Sequence, residues 1–120
     1  MLSRAPALRL RLIFDAHRAI GPGKIGLLAA IVAEGSISAA ARAMRMSYKR
    51  AWQLVDELNG CFAMPLVETH KGGKRGGGAA LTAEGNKVLA AYRAIERKAH
   101  LAAAAEMRAL VRLARHPDQR

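Results

Sequence analysis

The chain has 120 residues, and its 20 Lys and Arg against 9 Asp and Glu give a formal charge of +11. That length fits one domain with a modest core, and the excess of cations favours a polyanion partner, nucleic acid before an anionic membrane. A single cysteine, Cys61, excludes an internal disulfide framework; it suits a reducing, cytoplasmic setting as a small buried hydrophobe.

No apolar run approaches the ~20 residues of a membrane span, so no membrane partner is expected. The start, MLSRAPALRLRLIF, is basic and apolar in the manner of a targeting peptide. Arg9 and Arg11 interrupt it, and no small-residue cleavage site follows, so it is taken as part of the domain. Hydrophobic residues make up 52% of the chain, and alanine carries much of that share, which favours helix.

Leu8 to Phe14 alternates, with Leu8, Leu10, Leu12 and Phe14 on one side and Arg9, Arg11 and Ile13 on the other. Period two predicts a strand with one buried face. The glycines and Pro22 between Asp15 and Gly23 predict a turn. A helix from Pro22 or Gly23 to Glu34 follows, burying Ile25, Leu28, Ile31 and Val32 and stopped by Gly35.

The stretch GSISAAARAMRMSYKRAWQLVDELN, Gly35 to Asn59, predicts two short helices. Ser36 caps the first and Ser47 the second, each oxygen accepting free N–H groups of a first turn. Ile37, Ala40, Ala41, Met44 and Met46 form an apolar set, and Ala51, Leu54, Val55 and Leu58 recur at helical spacing. The alanines let the two helices cross closely. Such a pair is either an ordinary helical hairpin or a helix-turn-helix, whose second helix enters the DNA major groove. Charge placement favours the latter. No acid lies between Glu34 and Asp56, whereas Arg42, Arg45, Lys49 and Arg50 all do. Tyr48, Lys49, Arg50, Trp52 and Gln53 remain outward near the start of the second helix, able to stack, pair with phosphates or reach base edges. Trp52 is open to either core packing or DNA contact.

Cys61 to Pro65 predicts a short connection, and LVETHK, Leu66 to Lys71, a strand. GGKRGGG, Gly72 to Gly78, predicts a tip, and Ala79 to Leu81 the returning strand. A hairpin directly after a helix-turn-helix is the wing of a winged helix. Thr82 then caps a long helix in which Val88, Tyr92, Ile95, Ala99, Ala102, Leu110 and Leu113 keep a three-and-four spacing. That stripe either folds back over its own core or packs on a second copy of the chain; its length favours a homodimer through Tyr92, Ile95, Ala99, Ala102 and Leu110.

Other chemistry lacks its residues. GGKRGGG is not a phosphate loop, because Arg75 follows Lys74 where Ser or Thr is needed and Glu68 stands at the required upstream glycine. His17, His70, His100 and His116 are scattered without ligand spacing, and no catalytic triad or carboxylate pair is visible. No enzyme activity, metal or cofactor is expected.

MSYKRAW, Met46 to Trp52, and LVETHKGGKRGGGAALTAEGNKVL, Leu66 to Leu89, resemble the helix-turn-helix and wing of the ModE family of molybdate-dependent bacterial regulators, and more distantly those of LysR-type regulators. The resemblance runs from about Leu8 to Tyr92. It implies a mainly α fold with a small β component: a winged helix-turn-helix with an N-terminal strand (8–14), the helix pair (36–58), a β-hairpin wing (66–81) and a long C-terminal dimerisation helix (82–115), in one domain over 1–120. It implies a homodimer on a palindromic double-stranded DNA operator. Ser47, Tyr48, Lys49, Trp52 and Gln53 would face the major groove, with Ser36, Arg45 and Arg50 beside them and Lys71, Lys74 and Arg75 on the flanking backbone. Full-length members continue into a molybdate-binding domain, whereas only ARHPDQR follows Leu113 here. The expectation is therefore a DNA-binding regulator without its own molybdate site and without a small-molecule ligand. The alternatives are a nucleoid-type protein without sequence preference and a DNA-binding subunit governed by a separate ligand-binding partner.

Overall fold

The computed structural model describes residues 6–71 and 77–115. The order is β1 (Leu12–Ile13), β2 (Ala19–Ile20), α1 (Pro22–Glu34), α2 (Ile37–Ala43), α3 (Tyr48–Cys61), β3 (Val67–His70), β4 (Gly78–Leu81) and α4 (Ala83–Leu113). This is a winged helix-turn-helix, and among the described residues no single helix is long and apolar enough to cross a membrane.

The first strand is shorter than its alternation predicts. Leu8, Leu10 and Leu12 are half-buried and Arg9 and Arg11 exposed. Only Leu12 and Ile13 find partners, antiparallel to Ile20 and Ala19, because Gly21 and Pro22 turn the partner strand into a helix. Phe14 leaves the buried side and meets Phe62 edge-on at 5.5 Å. The intervening turn is organised by Asp15, whose carboxylate accepts from the Arg18 side chain and from the backbone N–H groups of His17 and Arg18. The Arg18 hydrogen bond, then that of His17, holds the Asp15 carboxyl below the usual carboxylate range.

Helix α1 begins on Pro22 and ends on Gly35, whose φ of 79° places it in the left-handed region and whose N–H bonds to the Ile31 carbonyl. Its buried side differs from the expected one. Leu27 is fully enclosed, while Val32 is 58% exposed. The helix is apolar nearly all round, and α2, α3, β4 and α4 all pack on it, so periodicity does not select one face.

Ser36 caps α2 by accepting from Ala39 N–H at 3.0 Å, and Ser47 caps α3 by accepting from Arg50 N–H at 3.0 Å. Ala40, Ala41 and Ala51 are buried where α2 and α3 cross. In the turn between them Arg45 takes a φ of 57°. Met44 and Met46 are half-buried against the core. Helix α3 runs two residues past Asn59 and ends on Cys61, which is buried as expected.

Strands β3 and β4 pair antiparallel from Val67 with Leu81 to His70 with Gly78. The wing tip, including Lys74 and Arg75, lies outside the described residues. Hydrogen bonds from three residues, two through backbone N–H groups and one through a side-chain amide, fix the hairpin's base. Ala79 N–H donates to the Gly35 carbonyl at 2.9 Å, tying β4 to the α1–α2 turn. Asn59 Oδ1 accepts from Leu66 and Val67 N–H at 2.8 and 3.0 Å, and its Nδ2 donates to the Val67 carbonyl at 3.3 Å. Thr82 N–H donates to the Leu66 carbonyl at 2.9 Å, and Thr82 Oγ1 donates to Pro65 while accepting from Gly85.

Helix α4 has 31 residues, about 46 Å at 1.5 Å per residue, in a molecule 55 Å along its longest axis. Only Gly85, Leu89 and Tyr92 on it are buried. Tyr92 corrects the proposed seam: it is 1% exposed and its hydroxyl donates to the Leu10 carbonyl of its own chain. Burial, with Glu96 nearby, raises its pKa and keeps the phenol a donor. A stripe position shared by a domain's own core and by a dimer seam carries the same spacing, so the sequence alone does not separate them.

Two substitutions test these links. A Cβ on Gly85 would lie 2.2 Å from the Leu66 carbonyl oxygen. Gly85→Ala is therefore expected to lower unfolding free energy by about 1–3 kcal/mol, although the same change on a free helix surface would raise it by roughly 1 kcal/mol. Asn59→Ala leaves two half-buried N–H groups without their acceptor and should cost about 1–3 kcal/mol. Urea titrations of both variants measure these shifts, and wild-type midpoints would refute the account.

Candidate nucleic-acid interface

The exposed side of α3 begins at its cap. Ser47, Tyr48, Lys49, Arg50 and Gln53 are exposed, and Arg50 Nη1 approaches Gln53 Oε1 at 3.4 Å. No acid occupies the first turn. The acids of α3 lie further along: Asp56 is exposed, and Glu57 pairs with Lys24 of α1 at 3.1 Å. Lys24 also donates to the Ala19 carbonyl at 3.0 Å, so this ion pair fastens α3 to the core and leaves the start of α3 positive.

Trp52 serves both packing and surface. It is half-buried against the core and stands edge-on to Tyr48, with ring centroids 6.1 Å apart and planes at 82°. The rigid indole thereby props the exposed phenol on the first turn of α3.

A cleft of about 580 Å³ separates the helix pair from the wing. Ser36, Ile37, Ser38 and Arg42 line one side, and Tyr48 and Trp52 the floor of α3. Thr69, His70, Lys71, Gly77 and Gly78 supply the wing side. No carboxylate is among these lining residues. Arg42 Nη1 donates to Ser38 Oγ at 2.9 Å across one helical turn.

Of the residues expected to meet DNA, Ser36, Tyr48, Trp52 and Lys71 come together in this cleft. Lys49, Arg50 and Gln53 are exposed on α3, and Arg45 is exposed in the turn before it. Ser36 and Ser47 spend their oxygens on helix caps, so their roles at the surface are first of all structural. Lys74 and Arg75 lie outside the described residues. Ser38, Arg42, Thr69 and His70 were not among the assigned site residues. Arg42 had a signal, its place in the acid-free window; Thr69 and His70 reach the cleft only because the hairpin folds back toward α2. Among the described residues no three His, Cys, Asp or Glu side chains gather to hold a metal ion.

The family of bacterial regulatory helix-turn-helix proteins of the lysR family matches residues 23–86, from α1 to the first turn of α4. The molybdenum-pterin-binding protein MopB of Rhodobacter capsulatus is 53% identical over 77 residues, 64% of this chain and 28% of its own length. The molybdenum transport protein ModE of Azotobacter vinelandii is 43% identical over 88 residues, 73% of this chain and 33% of its own length. The DNA-binding transcriptional dual regulator ModE of Escherichia coli is 44% identical over 71 residues, 59% of this chain and 27% of its own length. The chain thus spans about a third or less of the relatives it matches. With its capped helix pair, its wing and more than half of its length inside the match, the chain belongs to the lysR family of bacterial regulatory helix-turn-helix proteins, and over this region it is similar to ModE proteins.

Proposed function

We propose that the chain is a sequence-specific transcriptional regulator that binds a palindromic operator as a homodimer. The observation that carries this reading is the first two turns of α3, where Tyr48, Lys49, Arg50 and Gln53 are exposed with no acid among them. A helix so equipped fits the major groove, where Lys reads guanine acceptors and Gln reads adenine. Lys71, with Lys74 and Arg75, would hold phosphates of the flanking backbone, which position the protein without specifying sequence. Names of the relatives tie two of them to molybdenum; for this chain, DNA binding is proposed as a property of these residues without molybdate.

Lys49→Ala and Gln53→Ala should each weaken binding to the preferred site by about 1–3 kcal/mol and leave the fold intact. Gel shifts on the preferred site and on random duplex at physiological salt measure this. Equal wild-type affinity for both duplexes would instead favour the nucleoid-type alternative, since specific binders typically exceed their own non-specific affinity by ~10³ or more.

Arg45 gives a second test. A non-glycine residue at a φ of 57° carries strain of about 1 kcal/mol or more. Glycine relieves it, so Arg45→Gly should raise thermal stability while weakening DNA binding through the lost cation. Unchanged affinity would remove Arg45 from the interface.

The dimer rests on α4. Beyond Tyr92 none of its residues is buried, and Ile95, Leu110 and Leu113 are 38%, 64% and 81% exposed. Ala99 and Ala102 lie between them at helical spacing. A second copy supplies an equally long stripe, and two-fold symmetry would set two α3 helices about 34–36 Å apart on one face of the duplex. Sedimentation should find a dimer at micromolar concentration, and Ile95→Glu, which puts a charge in the seam, should dissociate it. A wild-type monomer at that concentration would overturn the dimer.

A further inference from the structure

We propose that Arg42, held by Ser38, is a pre-positioned phosphate clamp in the cleft between the helix pair and the wing. The proposal rests on the DNA-binding reading and adds to it a residue on the first helix of the pair, the element that crosses the backbone in helix-turn-helix complexes.

Three observations converge. Arg42 is exposed in the last turn of α2, yet its guanidinium is fixed by a 2.9 Å hydrogen bond to Ser38 Oγ. An exposed arginine otherwise samples many rotamers, and this bond removes part of that freedom before any ligand arrives. Second, among the described residues no carboxylate pairs with Arg42, although Arg18, Lys24 and Lys87 each have one. Third, Thr69 and Lys71 line the opposite wall, and no acid is among the described residues that line the cleft. Two cationic residues and several hydroxyl-bearing residues lining one cleft suit an anion.

The occupant is a phosphodiester of the DNA strand that separates the groove read by α3 from the groove beside the wing. Ser38 Oγ accepts from Arg42, so its own O–H remains free to donate. Arg42 keeps further N–H groups in its planar fork, which matches the spacing of phosphate oxygens. Serine and arginine four residues apart on one turn would thus grip the same phosphate.

The test is affinity against salt for the full chain on its preferred site and on random duplex. Arg42→Gln should weaken both duplexes by the same factor and reduce the slope of log affinity against log salt by about one per bound chain. Arg42→Lys should keep the slope, because a cation remains, while losing affinity through the lost fork. Ser38→Ala should likewise keep the slope and weaken binding. Arg42 contacts solvent and Ser38 and lies outside the core, so thermal unfolding of all three variants should match wild type. An Arg42→Gln chain that binds with the wild-type slope overturns the clamp while leaving DNA binding standing. A loss confined to the preferred site also overturns it, since that marks base readout. A wild-type chain with no salt-dependent duplex binding overturns the DNA-binding reading and the clamp together.

Discussion

The peptide groups of Leu66 hold the structure's three functional parts in one relation. Its N–H donates to Asn59 at the end of α3, and its carbonyl accepts from Thr82 at the start of α4. Its side chain is fully buried. Residue 85 of α4 packs so near that carbonyl that only glycine fits. Because helix end, wing base and long helix meet at one residue, the angle between α3 and the wing is not left to a flexible connection. The Ala79–Gly35 hydrogen bond closes the same frame from the other side, joining the wing to the turn before α2. A surface that must match a stiff duplex at several points benefits from such fixation, because less conformational entropy is lost on binding.

Much of this frame was legible in the sequence because its signals are local. Ser36, Ser47 and Thr82 announce helix starts by a side-chain oxygen three residues before the N–H it accepts from, and all three bonds form. The two wing strands were legible from alternation and glycines on either side. What was not legible depends on partners far along the chain. Leu27 and Val32 are both apolar residues of one helix, and only the arrival of α2, α3, β4 and α4 decides which is enclosed. Tyr92 keeps the spacing of a seam, but the N-terminal segment, 82 residues earlier, supplies the carbonyl that claims it. Asn59 reads as a polar residue near a helix end; its amide becomes the joint to β3 only in the folded chain. Gly85 reads as a weak point in a helix and turns out to be a point of close approach.

The candidate interface was legible in its chemistry more than in its geometry. The acid-free run from Gly35 to Val55 marked the basic surface, and α3 does expose its cations there. Sequence spacing did not show that α2 and the wing enclose a cleft, because that depends on where the hairpin folds. For the same reason Trp52 could be assigned neither to core nor to surface from spacing. The structure packs it half-buried against the core and sets it at 82° to the Tyr48 ring.

Helices α3 and α4 treat their N-termini in opposite ways, and the contrast bears on function. The positive end of a helix favours acids in its first turn and disfavours cations, by typically 0.3–1 kcal/mol each at exposed positions. Helix α4 follows that preference, with Glu84 in its first turn behind the Thr82 cap. Helix α3 departs from it, with Lys49 and Arg50 in its first turn and no acid. Among the described residues no acid pairs with the cations at that end; the acids of α3 sit at Asp56 and Glu57, and Glu57 is engaged by Lys24. The mutual repulsion of these cations with the helix dipole is a stability cost that the Ser47 cap and the Arg50–Gln53 contact offset without supplying a negative charge. Polyanion binding would remove it, because phosphates satisfy the side chains and the helix end at once. The positive field over α3 thus both opposes the folded state slightly and would favour its occupied form, and the cost falls on the helix proposed to meet DNA.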